Sequence, residues 1–354
     1  MDRRTNRGSI QAVSSYVRAG DELGHEIALY GRLDPNYPGV RCSTDLAAFD
    51  RVVFICEFGL QWISGLRLLR ILSETSREQR AVLDADGMYN PIICVDGYDR
   101  NHTNEDERRQ WVSLCDRLTD KILQPTLTPL EPAALPVPFY GYDPTLQVDE
   151  KSSPAKRYDI MHMGHNWWRW REVSTSLLPA FERIRSHLDG ICFVGLWWDM
   201  VPAGARDQNL EIAFGYDADW FRRLCIEARQ PVSYTEVIHT MSESRINIMT
   251  QRPLFHRLKL LTSKFFEIFC AETIPLVVLD TDRAESVYGP AGRELALHGE
   301  MSEKLLDVVN HPKKYREIAQ DARQHLAEHH CYQKRVQDLV AALKATPTGA
   351  GGRV

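Results

Sequence analysis

Short, nearly uninterrupted apolar runs alternate along this chain with stretches whose apolar residues recur every third or fourth position. The run ending Val52-Val53-Phe54-Ile55-Cys56 and the run Tyr158-Asp159-Ile160-Met161-His162-Met163-Gly164 are of the first kind. Ile10, Val13 and Val17, and later Tyr315, Ile318, Ala319, Ala322 and Leu326, are of the second. A strand that is apolar on both faces needs a layer over each face, and helices supply those layers in a parallel sheet. The alternation therefore predicts an α/β fold and disfavours all-helical bundles and half-solvated antiparallel sheets.

The alternation comes in two series. In the first, a helix over 9–23, with Ser9 as N-cap and Gly24 as stop, leads to a strand at His25–Gly31. Strands are then expected at Asp50–Cys56, Arg80–Asp84, Pro91–Val95 and Asp120–Leu123, with helices around Leu60–Leu72 and Glu105–Cys115. Between Pro125 and Pro154 seven prolines interrupt all periodicity, which reads as a linker. The second series has strands expected at Tyr158–Gly164, Ile191–Gly195, Arg245–Met249, Ile274–Asp280 and Glu294–Leu297. Helices follow around Lys264–Ala271, Met301–Val309, Tyr315–Leu326 and Val336–Leu343. At 354 residues, two domains of ordinary size are expected. Their boundaries are set at 1–140, a linker at 141–157, a second domain at 158–330, a crossing helix at 331–345 and a disordered tail at 346–354. A doubly wound domain normally opens with a strand and a glycine loop, whereas the loop Asn6-Arg7-Gly8-Ser9 leads straight into a helix. The first strand is expected upstream of Met1.

Charge and composition narrow the function. With 43 Lys and Arg against 48 Asp and Glu the net charge is −5, which argues against nucleic acid as the main partner. No run of 18 apolar residues occurs and the N-terminus lacks an apolar signal core, so no integral membrane segment is expected and the location is read as cytoplasmic. The eight cysteines are scattered without a CxxC pair, as reduced core residues are. No metal site is expected.

In this acidic chain the window from Ser244 to Phe266 has no Asp or Glu but holds Arg245, Arg252, Arg257, Lys259 and Lys264. Arginine forks, a lysine point charge and the start of a helix near Ser263 suit a diphosphate, although a solvated basic face would have the same composition. The stretch Thr262-Ser263-Lys264-Phe265-Phe266-Glu267-Ile268-Phe269-Cys270-Ala271-Glu272-Thr273-Ile274-Pro275-Leu276-Val277-Val278 resembles the donor-binding helix and following strand of GT-B glycosyltransferases. The half from Tyr158 to Leu343 is similar to the spore-maturation CgeB-like glycosyltransferases, through Lys264–Glu267, Glu285–Gly289, Leu305–Pro312 and His330-Cys331-Tyr332 with Arg335.

That resemblance implies two doubly wound Rossmann-like domains facing a cleft, with the last helix crossing back to the first domain. Its implied co-substrate is a nucleotide-diphosphate sugar, its implied second substrate a small-molecule or glycan acceptor, and no cofactor is implied. Glu267 would accept hydrogen bonds from the ribose hydroxyls, and Lys264 with Arg245 or Arg252 would hold the diphosphate. Gly164 and Asn166 would lie where the second domain's first strand ends. Many retaining members carry a second Glu eight positions before the ribose-binding one; Lys259 stands there. For the general base that an acceptor hydroxyl requires, Asp86 and His102 are the candidates in the first domain, and turn formation alone also accounts for Asp86. Trp167, Trp168, Trp170, Trp197 and Trp198 follow predicted strands and suit either an aromatic ligand wall or interior packing. A sugar-nucleotide epimerase and a non-catalytic sugar-nucleotide or glycan binder are the alternatives to a transferase.

Overall fold

A computed structural model describes residues 8–32, 40–56, 65–205, 207 and 210–345. The chain divides into two compact units. The N-terminal unit comprises Ser9–Gly141, Leu254–Ser263 and the chain from Tyr332 onward; the C-terminal unit comprises Tyr142–Pro253 and Lys264–Cys331. Both are parallel α/β structures.

In the N-terminal unit the helix Gly8–Glu22 precedes a short strand β1 (Leu29–Tyr30), which pairs in parallel with β2 (Cys42–Ser43). The strands β3 (Val52–Cys56) and β4 (Arg80–Asp84) follow, and further on come a hairpin, β5 (Cys94–Val95) with β6 (Asp99–Arg100), then β7 (Ile122–Gln124) and β8 (Ala134–Pro136). The main sheet is parallel in the order β3-β4-β7-β8. Every residue of β4 is buried, as expected of a strand covered on both faces. The helices Gly65–Glu74 and Glu105–Leu118 lie along it, the latter capped by the Asn104 side chain on the Glu107 amide. Ile71, Trp111, Cys115 and Leu118 from these helices share a core with Phe54, Val82 and Ile122.

Several sequence expectations need correction here. The run Pro91–Val95 gives no strand of the main sheet, because Asp96 and Gly97 both take positive φ and fold it into the β5-β6 hairpin. The proline-rich stretch is not wholly a linker, since Ala134–Pro136 adds an edge strand, where a missing N–H costs no ladder bond. Leu254–Ser263, read with the second series, belongs to the N-terminal unit, with the Leu254 amide on Asp99 at 2.8 Å and the Leu261 amide on the Pro125 carbonyl at 2.6 Å. The Asn6-Arg7 half of the predicted opening loop, the start of the helix expected from Leu60 and the tail from Thr346 lie outside the described residues.

The C-terminal unit holds five parallel strands: β9 (Tyr158–Met163), β10 (Ile191–Val194), β11 (Ile226–Arg229), β12 (Ser244–Met249) and β13 (Ile274–Val277). Their order, β11-β10-β9-β12-β13, is that of a doubly wound sheet whose direction of growth reverses between β9 and β12. The strand β11 escaped the sequence reading because Glu227 and Arg229 interrupt its apolar pattern. Glu294–Leu297, expected as a strand, forms the end of the short helix Ala291–Leu295 and a single bridge from Ala296 to Val277. The helix Tyr332–Lys344 groups with the N-terminal unit, where Lys121 Nζ donates to the Leu343 carbonyl and Arg335 is buried. Among the described residues no helix is long and apolar enough to cross a membrane.

Candidate functional site

In an open α/β sheet, ligands bind beyond the carboxyl ends of the strands where the strand order reverses. In the C-terminal unit that point lies after β9 and β12, and the chain there is built from residues that suit it. Gly164 and Gly195 follow β9 and β10 at φ of 155° and 152°, a region open chiefly to glycine. A Cβ on Gly195 would stand 2.1 Å from the Gly164 carbonyl oxygen, so the two loops touch because Gly195 lacks a side chain. The Trp198 indole N–H donates to that same carbonyl at 2.6 Å, and Trp198 is fully buried.

Asn166 locks these loops. Its Nδ2 donates to the Trp197 and Gly215 carbonyls at 2.8 and 2.6 Å, while its buried Oδ1 has no protein partner. Two histidines report the electrostatics nearby. His165 Nδ1 accepts from the Leu196 amide at 3.0 Å, and burial, with Arg169 and Lys264 beside it, pushes its pKa down to about 4. Buried His162 shares a 2.8 Å hydrogen bond with Thr250, and burial followed by the same two cations lowers its pKa to about 3. Both rings are therefore neutral near pH 7, and the end of β9 lies in the positive field of Arg169 and Lys264. Arg169 also donates to the His165 carbonyl at 2.8 Å.

The basic window is split by the fold. Arg252, just beyond β12, stacks its guanidinium 5.7 Å from the centre of the buried Trp168 ring, beside the Gly164 loop. Lys264 opens the helix Lys264–Cys270 and pairs with Glu267 at 2.5 Å, the Glu267 side chain being 9% exposed and that of Lys264 24%. Arg245 lies elsewhere. It is the second residue of β12 and pairs with Asp159, the second residue of β9, at 2.9 Å, so it belongs to the opposite edge of the sheet. Arg257 and Lys259 fall in the segment that packs with the N-terminal unit. Of the tryptophans, Trp168 and Trp198 are core residues, whereas Trp167 and Trp197 are half-buried and each meet Phe214 at 4.9 Å.

In the N-terminal unit, His102 is buried with Nε2 2.5 Å from the Met88 carbonyl, which makes Nε2 the protonated nitrogen, and Nδ1 lacks a protein partner inside the core. A side chain held in this way supports a turn and is a poor general base for a substrate. Asp86 is half-buried in the turn after β4. Its neighbour Asp84, which the sequence reading passed over, is fully buried and accepts from the Met88 and Tyr89 amides at 2.8 Å and from Gln124 at 2.9 Å. Burial nonetheless raises the Asp84 pKa to about 6, with Asp86 adding to the shift. The sequence reading also missed Arg169, whose only signal was its place after a predicted strand end. Among the described residues no three His, Cys, Asp or Glu side chains converge as a metal site would require.

Comparison with known proteins bears on the fold. Residues 198–341 match the family described as "Glycosyl transferase-like". No curated protein matches the sequence. Among solved structures, an alpha-glucosyltransferase in complex with UDP and a 13-mer DNA is similar over 96% of this chain and 97% of its own, at 11% identity and a TM-score of 0.61. The phage T4 enzyme BGT in complex with UDP-glucose is similar over 94% of this chain and 93% of its own, at 12% identity and a TM-score of 0.57. Likeness of fold at such low identity carries the architecture, and the family match covers most of the C-terminal unit. The chain has the GT-B glycosyltransferase fold of two Rossmann-like units, and its glycosyl transferase-like region supports a transferase enzyme.

Proposed function

We propose that this protein transfers a sugar from a nucleotide-diphosphate sugar to an acceptor hydroxyl, with the donor bound at the carboxyl edge of the C-terminal sheet. One observation carries the reading: Arg169, Arg252 and Lys264 gather where the order of strands reverses. A departing diphosphate needs stabilisation of its developing charge, and fixed cations with backbone N–H groups provide it without a bound metal. Glu267, next to Lys264, accepts hydrogen bonds from the ribose. Arg245 drops out of the donor set and Arg169 enters it. Gly164 gives the donor close access to backbone, and Asn166 positions that loop. Asp86 remains the candidate general base for the acceptor, with Asp84 beneath it as the group that orders its turn.

The similar structures make UDP-sugars the first donors to try. Two of them carry UDP or UDP-glucose, and one of these also carries DNA. The net charge of −5 favours a small-molecule or glycan acceptor here. A CgeB-like specificity is part of this reading, resting on the C-terminal motifs. The decisive experiment is calorimetric titration with a panel of sugar nucleotides, followed by measurement of UDP release with glycan, small-molecule and DNA acceptors. Acceptor-dependent release supports the transferase. Conversion of the sugar nucleotide with no acceptor would identify an epimerase, and binding without turnover a non-catalytic relative. Failure of every sugar nucleotide to bind would overturn the proposal.

A further inference from the structure

In the C-terminal unit the loop after β9 engages both backbone polar groups of Leu196. The Leu196 amide donates to His165 Nδ1 at 3.0 Å, and the Leu196 carbonyl accepts from the Asn166 amide at 2.9 Å. The Trp197 ring meets the imidazole edge-on with centres 5.9 Å apart, and Arg169 donates to the His165 carbonyl at 2.8 Å. The imidazole is thus fixed in position by neighbours on two loops. The same contacts fix its tautomer. A ring nitrogen that accepts an amide N–H carries no proton of its own, so the single N–H of the neutral ring is on Nε2. A proton on Nδ1 would set two donors against each other across 3.0 Å, which keeps the ring uncharged. Among the described residues this Nε2–H has no protein partner, and on a half-buried ring it is open to solvent. The charged groups that act on the ring are Arg169 and Lys264, both cations. A directed N–H donor without an acceptor, held in a positive field, is complementary to an anionic oxygen.

We propose that His165 is a contact of the donor site, its Nε2–H donating a hydrogen bond to a diphosphate oxygen of the nucleotide sugar. The assignment rests on the donor site proposed above and adds to it a group of a different kind. Lys264 attracts a phosphate as a point charge from any direction, whereas a ring N–H bonds well only to an atom nearly in line with it. The imidazole therefore supplies orientation without charge. It fixes which oxygen faces the loop after β9 and adds nothing to the Coulomb attraction that a departing nucleoside diphosphate must escape.

Two substitutions separate the two bonds of the ring. His165→Asn keeps an acceptor for the Leu196 amide but has no donor at the Nε2 position. His165→Gln places an amide N–H near that position and gives up the Leu196 bond. Calorimetry with UDP should show a Kd raised about 10-fold or more by His165→Asn, as for loss of a hydrogen bond to a charged group, with His165→Gln closer to wild type. The reverse order overturns the proposal, because the ring would then serve only to brace the Leu196 loop. Nitrogen NMR with isotopically labelled histidine reads the unaltered protein directly. It should show the Nε2–H tautomer in the free protein, and an Nε2 proton that shifts downfield and exchanges more slowly when UDP binds. An Nδ1–H tautomer, or an Nε2 resonance indifferent to bound UDP, refutes the contact. Absence of UDP binding by wild type would bring down the donor site and the contact together, whereas equal affinity of UDP for wild type and both variants would remove the contact alone.

Discussion

Glu267→Gln separates a ligand contact from a structural one, and the structure sets both magnitudes. The Glu267 side chain is 9% exposed and its carboxylate meets Lys264 Nζ at 2.5 Å. Removing the charge costs the fold something, so unliganded melting should change. Because Lys264 is 24% exposed and can turn to water, the loss should be about 1 kcal/mol, or roughly 2–4 °C in Tm. If the carboxylate also accepts ribose hydroxyls, loss of a charged acceptor weakens nucleotide-sugar binding by about 1.5–3 kcal/mol, or roughly 10- to 150-fold in Kd. Calorimetry with UDP and with its 2′,3′-dideoxy analogue distinguishes the two effects. The dideoxy analogue should bind wild type and variant with nearly equal affinity, because the contact the substitution removes is already absent. If the variant loses the same factor toward both ligands, or melts lower while binding UDP normally, Glu267 serves only to hold Lys264 and the ribose assignment fails.

Replacing Lys264 by Met should lower kcat by about 100-fold or more with a smaller change in KM, as loss of one group that stabilises the leaving charge does; an unchanged kcat excludes it from that role. Asp86→Asn should reduce turnover and leave donor affinity intact, whereas His102→Gln should lower Tm with kcat unchanged, which steady-state kinetics beside thermal melts will show. Acid sensitivity follows from His162 and His165, whose pKa values fall from an unfolded value near 6.5 to about 3 and about 4. The unfolded chain takes up their protons first, so this stability is complete above about pH 6.5 and is lost as pH falls toward 4. His165→Asn keeps an acceptor for the Leu196 amide and should flatten the slope of Tm against pH between 6.5 and 4; an unaltered slope refutes the assignment. Gly195→Ala should lose nucleotide-sugar binding or destabilise by roughly 3 kcal/mol or more, given φ of 152° and a Cβ 2.1 Å from the Gly164 carbonyl, and calorimetry with melting curves will tell which.

Much of the architecture is written locally. Val52–Cys56, Arg80–Asp84, Tyr158–Met163 and Ile191–Val194 are strands because each is a short apolar run of pleated length, and a parallel sheet needs nothing more from its buried strands. The helices Met301–Asn310 and Pro312–His329 likewise follow from a 3.6-residue period and a proline at the first turn of the latter. Where the signal was short or mixed it misled: Glu227 and Arg229 hid β11, and the apolar letters of Glu294–Leu297 imitated a strand. Lys264 and Glu267 could be singled out in the sequence because an acid-free window and a recognisable helix fell together.

Which charges stand together was decided only by the tertiary structure. Arg245 and Arg252 are seven positions apart and look equivalent in sequence, but β12 runs between them and delivers them to opposite edges of the sheet. Arg257 and Lys259 leave with a segment that packs in the other unit. Arg169 arrives from a loop after β9 more than eighty positions away in the chain. Local pattern sets the type of each element through propensity and burial of its own side chains. Neighbours distant in sequence, strand order and the end of a strand at which a residue falls are set by pairing between elements, and these determine where the chemistry gathers.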